Sequence, residues 1–320
     1  MGDQPFYHTR PNKYVDRQIF TQILKSLNRQ LDISKYTYVG MGSYMFDDFK
    51  LIHNEVCISK MISLEKDLQT FKRATFNKPL KCISLLQMST SEYIASLEPG
   101  QDHYIVWLDF TEPRQLGCQF NDFCRLISKL NEHDVVRITL NANPTSLGKP
   151  QNDDISLWDY RLSVLKDRLG DFVPATVGSD DLIKARYPLV LLSCLEKAQF
   201  DTLQDQSKYF LPLSASIYDD NTQMLTLTGV ILKNAENISL YKRNTDLKRF
   251  CNFKWDDPLL ICMPPLTPKE ILHINNELPV KTHGKLIKKK YSFIFEGNEV
   301  GLNSYLRYYK EYPHFHSVSF

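Results

Sequence analysis

Gly40 and Gly42 stand one residue apart in the stretch YTYVGMGSYMFDDFKLIH, Tyr36 to His53, between an aromatic run and a pattern with helical spacing. A strand that ends in Gly-x-Gly before a helix lets backbone amides come close to a ligand, and the helix start adds partial positive charge. Glu65 closes a later apolar run, MISLE, about 23 residues after Gly42. An acid at that place lies beside the first loop of a doubly wound sheet and can accept both hydroxyls of a ribose. Asp109 ends a further run, YIVWLDF, at the carboxyl edge where open α/β sheets hold their sites. Its other reading is a cap for a helix starting near Pro113. The chemistry expected is the binding of an adenosine-type ligand beside a carboxylate. The third glycine of a dinucleotide fingerprint falls on Met45, which disfavours NAD.

Five apolar runs must carry these residues: 36–41, 60–65, 81–86, 104–110 and 134–141. Their apolarity is continuous rather than alternating, as in parallel strands covered on both faces. Short helices are expected at 47–55, 67–73 and 91–97, and a longer one at 115–130. Ahead of them Val15, Ile19, Ile23, Leu24 and Leu27 share one face of a lead-in helix. Residues 155–173 and 180–200 read as two inserted helices, and 208–233 as an antiparallel hairpin about Asp219-Asp220-Asn221. The expected fold is α/β, a doubly wound, mostly parallel seven-stranded sheet ending in that hairpin, followed by a smaller, mainly helical domain. The boundary is placed at 235/236, with residues 236–320 as an accessory domain. In that part Thr267 and Glu270 form a capping box with Pro268 at the first helical position, and a tyrosine-rich helix is expected at 301–312.

Composition limits the alternatives. The 320 residues carry 39 Lys and Arg against 37 Asp and Glu, a net charge of +2, too balanced to imply a nucleic-acid or membrane partner on its own. No stretch reaches the length of a membrane span, and the first residues lack a signal-peptide core, so a cytoplasmic location is expected. Position 6 is Phe, which breaks a myristoylation signal after Met1-Gly2. The seven cysteines form no C-x-x-C pair, favouring neither zinc nor a disulfide framework.

A GxG turn after the first strand, acids ending the second and fourth strands, and a closing hairpin together resemble the class I S-adenosylmethionine-dependent methyltransferases over roughly residues 10–235. More narrowly, the chain resembles bacterial O-methyltransferase-like proteins, some of which travel with phage-defence genes. The resemblance implies S-adenosylmethionine as cofactor, with Gly40, Gly42 and Ser43 along its methionine part and Glu65 on its ribose. It also implies Gln87 and Met88 near the adenine, and Asp109 facing the transferring methyl and the acceptor. Three features depart from the pattern. The acid usual two residues before the first glycine is Tyr38, the third glycine is Tyr44, and Asp109-Phe110-Thr111-Glu112-Pro113 is not an Asp-Pro-Pro-Tyr motif, which leaves base N-methylation unsupported. Tyr44 would stand in or over the pocket and touch substrate. Glu112 could join Asp109 on a divalent ion, but two carboxylates three apart in a loop are a signal of low specificity, and no residue is assigned to a metal.

Arg10, Lys13 and Arg17 align at spacings of three and four, a fork for a substrate phosphate or carboxylate or a solvated basic stripe. His53, His103 and His133 have no ligand-like spacing. Lys285, Lys288, Lys289 and Lys290 with Tyr305, Tyr308, Tyr309 and Tyr312 could neutralise and stack nucleic acid, or form a packed surface with a charged edge; residues 240–320 could equally dock a partner protein. The competing reading of the whole chain is an inactive module that senses a nucleotide or binds a partner, its pocket closed by Tyr38 and Tyr44.

Overall fold

The computed structural model describes residues 10–152, 154–233, 236–279, 285–295 and 297–313; Met1-Gly2 and the side chains of Lys285 and Lys288 lie outside the described residues. The chain forms two compact units. The larger comprises Phe20–Ile217 and Thr222–Leu259, the smaller Met1–Ile19, Tyr218–Asn221 and Leu260–Phe320. The expected boundary at 235/236 falls inside the larger unit, and a local reason is visible: Tyr241, fully buried, shares a 2.8 Å hydrogen bond with His133 Nδ1.

The strands are β1 (Thr37–Gly40), β2 (Lys60–Leu64), β3 (Ile83–Leu86), β4 (Tyr104–Asp109), β5 (Val135–Asn141), β6 (Tyr209–Asp219), β7 (Gln223–Leu232) and β8 (Leu259–Ile261), in the order β3-β2-β1-β4-β5-β7-β6-β8. Among the described residues the sheet therefore has eight strands rather than seven. Three residues are too short a run for periodicity to show, which is why β8 leaves no trace in the sequence pattern. The first five strands pair in parallel and β7 runs antiparallel to β5. Strand order reverses between β1 and β4, and such a switch point opens a crevice at the strands' carboxyl ends.

Successive residues of a strand point to opposite faces. Val39, Val106, Leu108, Val136 and Ile138 join one buried cluster with Phe120, Phe123, Leu126, Leu165 and Leu191. These last come from α5 (Leu116–Lys129), α6 (Leu157–Leu169) and α7 (Tyr187–Leu203). The alternate residues face elsewhere: Tyr38 meets Phe49 edge-on at 5.0 Å and Trp107 meets Phe20 at 5.4 Å. Phe20 belongs to α1 (Pro11–Leu31) and Phe49 to α2 (Asp47–Val56). Both faces are thus covered, which accounts for the unbroken apolar runs. The inserted helices overlap the expected spans, but α7 starts at Tyr187 with Pro188 in its first turn. Proline lacks an N–H and favours a helix start over an interior position.

In the smaller unit the capping box at Thr267 opens α8 (Pro268–Asn275) as expected. Tyr305, Tyr308 and Tyr312 are buried, Tyr305 bonded to Asn275 Oδ1 and Tyr312 to the Pro264 carbonyl, each at 2.9 Å. They are core of this unit and not an exposed platform on which bases could stack. Arg17 is buried, so at that position the basic stripe is not a solvated one, and the Lys13 backbone N–H donates to Asp220 Oδ2 at 3.0 Å. No described helix is long and apolar enough to cross a membrane.

Candidate functional site

A cavity of about 330 Å³ lies at the carboxyl ends of the strands of the larger unit, at the low end of the roughly 300–1,000 Å³ typical of ligand pockets. Met41, Leu64, Met88 and Phe110 line it from just past or at the ends of β1, β2, β3 and β4. Four chain segments that leave one sheet edge together thereby form its apolar floor, at the switch point between β1 and β4. Glu65 and Lys66 follow β2 onto its rim. Ser89, Thr90 and Ser91 come from the start of α4 (Thr90–Ser96), which Ser89 and Glu92 fix by a reciprocal capping box. The remaining wall is the entry of α5: Gln115 stands at its N-cap position, and Cys118, Gln119 and Asp122 follow on one face at the three- and four-residue spacing of a helix.

Glu65 is one of the lining residues. It is half-buried, and burial raises its pKa above the ordinary carboxylate range, opposed in part by the hydrogen bond from the Asp67 N–H. That bond, 3.0 Å to Oε1, belongs to the entry of α3 (Leu68–Asn77), where Asp67 caps the helix by accepting the Thr70 N–H at 2.8 Å. The carboxylate is therefore held by the chain that follows it and keeps further acceptor capacity for a ligand.

The glycine turn is placed differently from the expectation. Met41, between the glycines, reaches the cavity, whereas Gly40 and Gly42 do not line it. Gly42 donates its N–H to Ser63 Oγ at 3.1 Å, and an added Cβ there would stand 2.7 Å from Phe46 and 3.0 Å from Phe49. The glycine serves close packing of the loop on α2. Ser43 follows in left-handed backbone, φ 48°, and is also absent from the lining. Gln87 is exposed and outside the cavity, while its neighbour Met88 is inside.

Neither tyrosine closes the pocket. Tyr38, two residues before Gly40 on β1, is sent by strand alternation to the α1 and α2 side and is 1% exposed there. Tyr44 lies under the Arg73 guanidinium of α3, 3.6 Å from its ring centroid. Neither lines the cavity. Asp109 pairs in register with Thr139 at the end of β4 and shares the parity of Trp107, so it sits next to the lining residue Phe110 without lining the cavity itself. Glu112 accepts the Arg114 N–H as a cap of the 3-10 turn that follows. Among the described residues no three His, Cys, Asp or Glu side chains are grouped to hold a metal. Arg10, Lys13 and Arg17 belong to the smaller unit and are not among the lining residues.

The α5 face is what the sequence reading missed. Its signal was four residues of polar or thiol type at helical spacing, opposite an apolar stripe, and such a face reads by default as solvent-exposed.

A family model described as "Putative O-methyltransferase" matches residues 5–320. No curated protein matches the sequence. Among solved structures, the chain is similar to Trm1 from Pyrococcus horikoshii in complex with S-adenosyl-L-methionine, at 9% identity over 72% of this chain and 58% of that one, with a TM-score of 0.48. It is similar also to the plantazolicin methyltransferase BpumL in complex with SAH, at 9% identity over 68% and 84% of the two chains and a TM-score of 0.40. N-methyltransferase NodS from Bradyrhizobium japonicum WM9 matches at 9% identity over 68% and 97%, with a TM-score of 0.37.

Proposed function

The chain belongs to this O-methyltransferase family, and from that premise we propose that it binds S-adenosylmethionine in the strand-end cavity and directs its methyl group to an oxygen acceptor. The observation that carries the reading is the position of Glu65. A half-buried carboxylate ends the second strand of a sheet with this order and stands on the rim of a cavity at the switch point. Glu65 would accept the ribose hydroxyls, and Met41, Leu64, Met88 and Phe110 would pack against the flat and aliphatic parts of the nucleoside. When bound, the cofactor supplies an electrophilic methyl on a sulfonium.

The chain's own contribution is orientation and proton transfer. An oxygen nucleophile must lose its proton as the new carbon–oxygen bond forms. Asp109, which ends β4 without lining the cofactor cavity, is the carboxylate proposed to hold and take it from an acceptor that approaches along the strand's carboxyl end. The apolar floor excludes water, which would compete for the methyl.

Calorimetric titration of the purified protein with S-adenosylmethionine, alongside Glu65→Ala, tests the reading. Binding that weakens about tenfold or more in the variant supports the ribose contact, since a hydrogen bond to a charged group contributes about 1.5–3 kcal/mol. Unchanged affinity removes Glu65 from the site, and no binding to the parent protein ends the proposal.

A further inference from the structure

The cavity wall built by α5 contains a carboxylate that the reading above leaves without a task. Asp122 lines the cavity yet is only 6% exposed. One of its oxygens accepts the hydroxyl of Ser91, another lining residue, at 2.7 Å. Burial raises its pKa, against the hydrogen bond from Ser91 and the charge of Arg125. A desolvated carboxylate is costly unless donors answer it, and with about four acceptor positions on the group Ser91 answers only part of that demand. Its aim is fixed by a helix on one side and by the capped start of α4 on the other, not by a mobile loop.

The surroundings say what kind of donor fits. Met88 and Phe110 are apolar walls suited to the faces of a planar ring, and Asp122 is a polar acceptor in the same cavity. Gln87, expected from the sequence to lie near the base, is exposed and outside, so it offers no edge contact.

We propose that Asp122, oriented by Ser91, accepts a hydrogen bond from the exocyclic 6-amino group of the bound cofactor's purine, so that α5 sets the base selectivity of the site. The assignment rests on the S-adenosylmethionine reading. A carboxylate there favours an amine donor and repels a 6-oxo group, which presents only lone pairs. Ser91 acts as a positioning residue.

The test compares two ligands against three proteins. S-adenosylhomocysteine and its analogue with hydrogen in place of the 6-amino group are titrated into the parent protein, Asp122→Ala and Ser91→Ala. The parent should lose about tenfold to a hundredfold in affinity when the amino group is removed. In Asp122→Ala the two ligands should bind within about twofold of each other, because deleting either partner of one contact removes the same coupling. Ser91→Ala, which keeps the carboxylate but frees its rotation, should retain a preference smaller than the parental one. That variant also carries the comparison should Asp122→Ala fail to fold, and an undiminished preference in it counts against the assignment. An equal penalty for the missing amino group in the parent and in Asp122→Ala overturns the assignment while leaving the cofactor reading standing. No binding of either ligand to the parent overturns both.

Discussion

Two strand-end carboxylates with different surroundings divide the work proposed for this site. Glu65 is half-buried on the cavity rim with a raised pKa, so its acceptor strength depends on pH. Protonation removes the negative charge and turns one acceptor position into a donor, which weakens the bonds a ribose hydroxyl would make to it. Affinity should therefore be constant near neutrality and fall as pH drops through a value above the ordinary 4.5; titrations from pH 7 to 4.5 check this, and Glu65→Gln should abolish the dependence. Asp109 stands at the end of β4 beside a lining residue, and its proposed role is in transfer, not in binding. Asp109→Asn should lower the rate of transfer from a labelled donor by about a hundredfold or more, with cofactor affinity unchanged in a parallel titration. The strand-end positions of the two carboxylates were legible in the sequence because each ends an apolar run. Asp122 was not, since nothing in the spacing of α5 tells a wet face from one turned to a cavity. The role expected for Tyr38 also failed locally: a one-residue step along a strand reverses the face on which a side chain lies.

At the scale of elements, the wall that carries Asp122 depends on how α5 enters. An added Cβ on Gly117 would lie 2.4 Å from the carbonyl oxygen of Arg168 at the end of α6. The Arg168 guanidinium meanwhile donates to the Pro113 carbonyl at 3.1 Å and, more weakly, to that of Ser146 at 3.4 Å. One residue thus spaces the helix with its backbone and ties the preceding loop with its side chain. Gly117→Ala would meet backbone, which cannot rotate away, so α5 must shift. We expect a loss of about 1–3 kcal/mol in stability, read by urea unfolding, together with weaker cofactor binding because Gln115, Cys118, Gln119 and Asp122 move as a unit. Most elements were readable because continuous apolar runs and capping residues are local signals. The start of α7 and the existence of β8 were not. The former is fixed by Pro188 against an otherwise helical pattern, and the latter by pairing alone.

For the whole molecule, the opposite edge of the sheet holds a second buried carboxylate with a consequence for stability. Asp134 is fully buried, accepts the Tyr104 N–H at 2.9 Å and the Asn131 N–H at 2.8 Å, and shares a 2.9 Å hydrogen bond with His103 Nδ1. Burial pushes its pKa up to about 6 from 3.8. The folded state then holds this proton more tightly than the unfolded chain, so the contribution is most favourable below pH 3.8 and is lost as pH rises to about 6. Asp134→Asn should flatten the stability profile between pH 4 and about 6 relative to the parent, as measured by denaturant unfolding at several pH values. Fold class was legible at this scale, whereas the assignment of segments to units was not, because it depends on contacts between residues far apart in sequence. The smaller unit is assembled from three stretches, Met1–Ile19, Tyr218–Asn221 and a last one beginning at Leu260. A ribosome releases the larger unit's final segment, ending at Leu259, before any of that last stretch emerges. Nascent chains should therefore acquire a cofactor-sized hollow while residues 10–19 still await those of their partners that lie beyond Leu259, so that a stall late in translation would leave a hydrophobic arm for chaperones to shield.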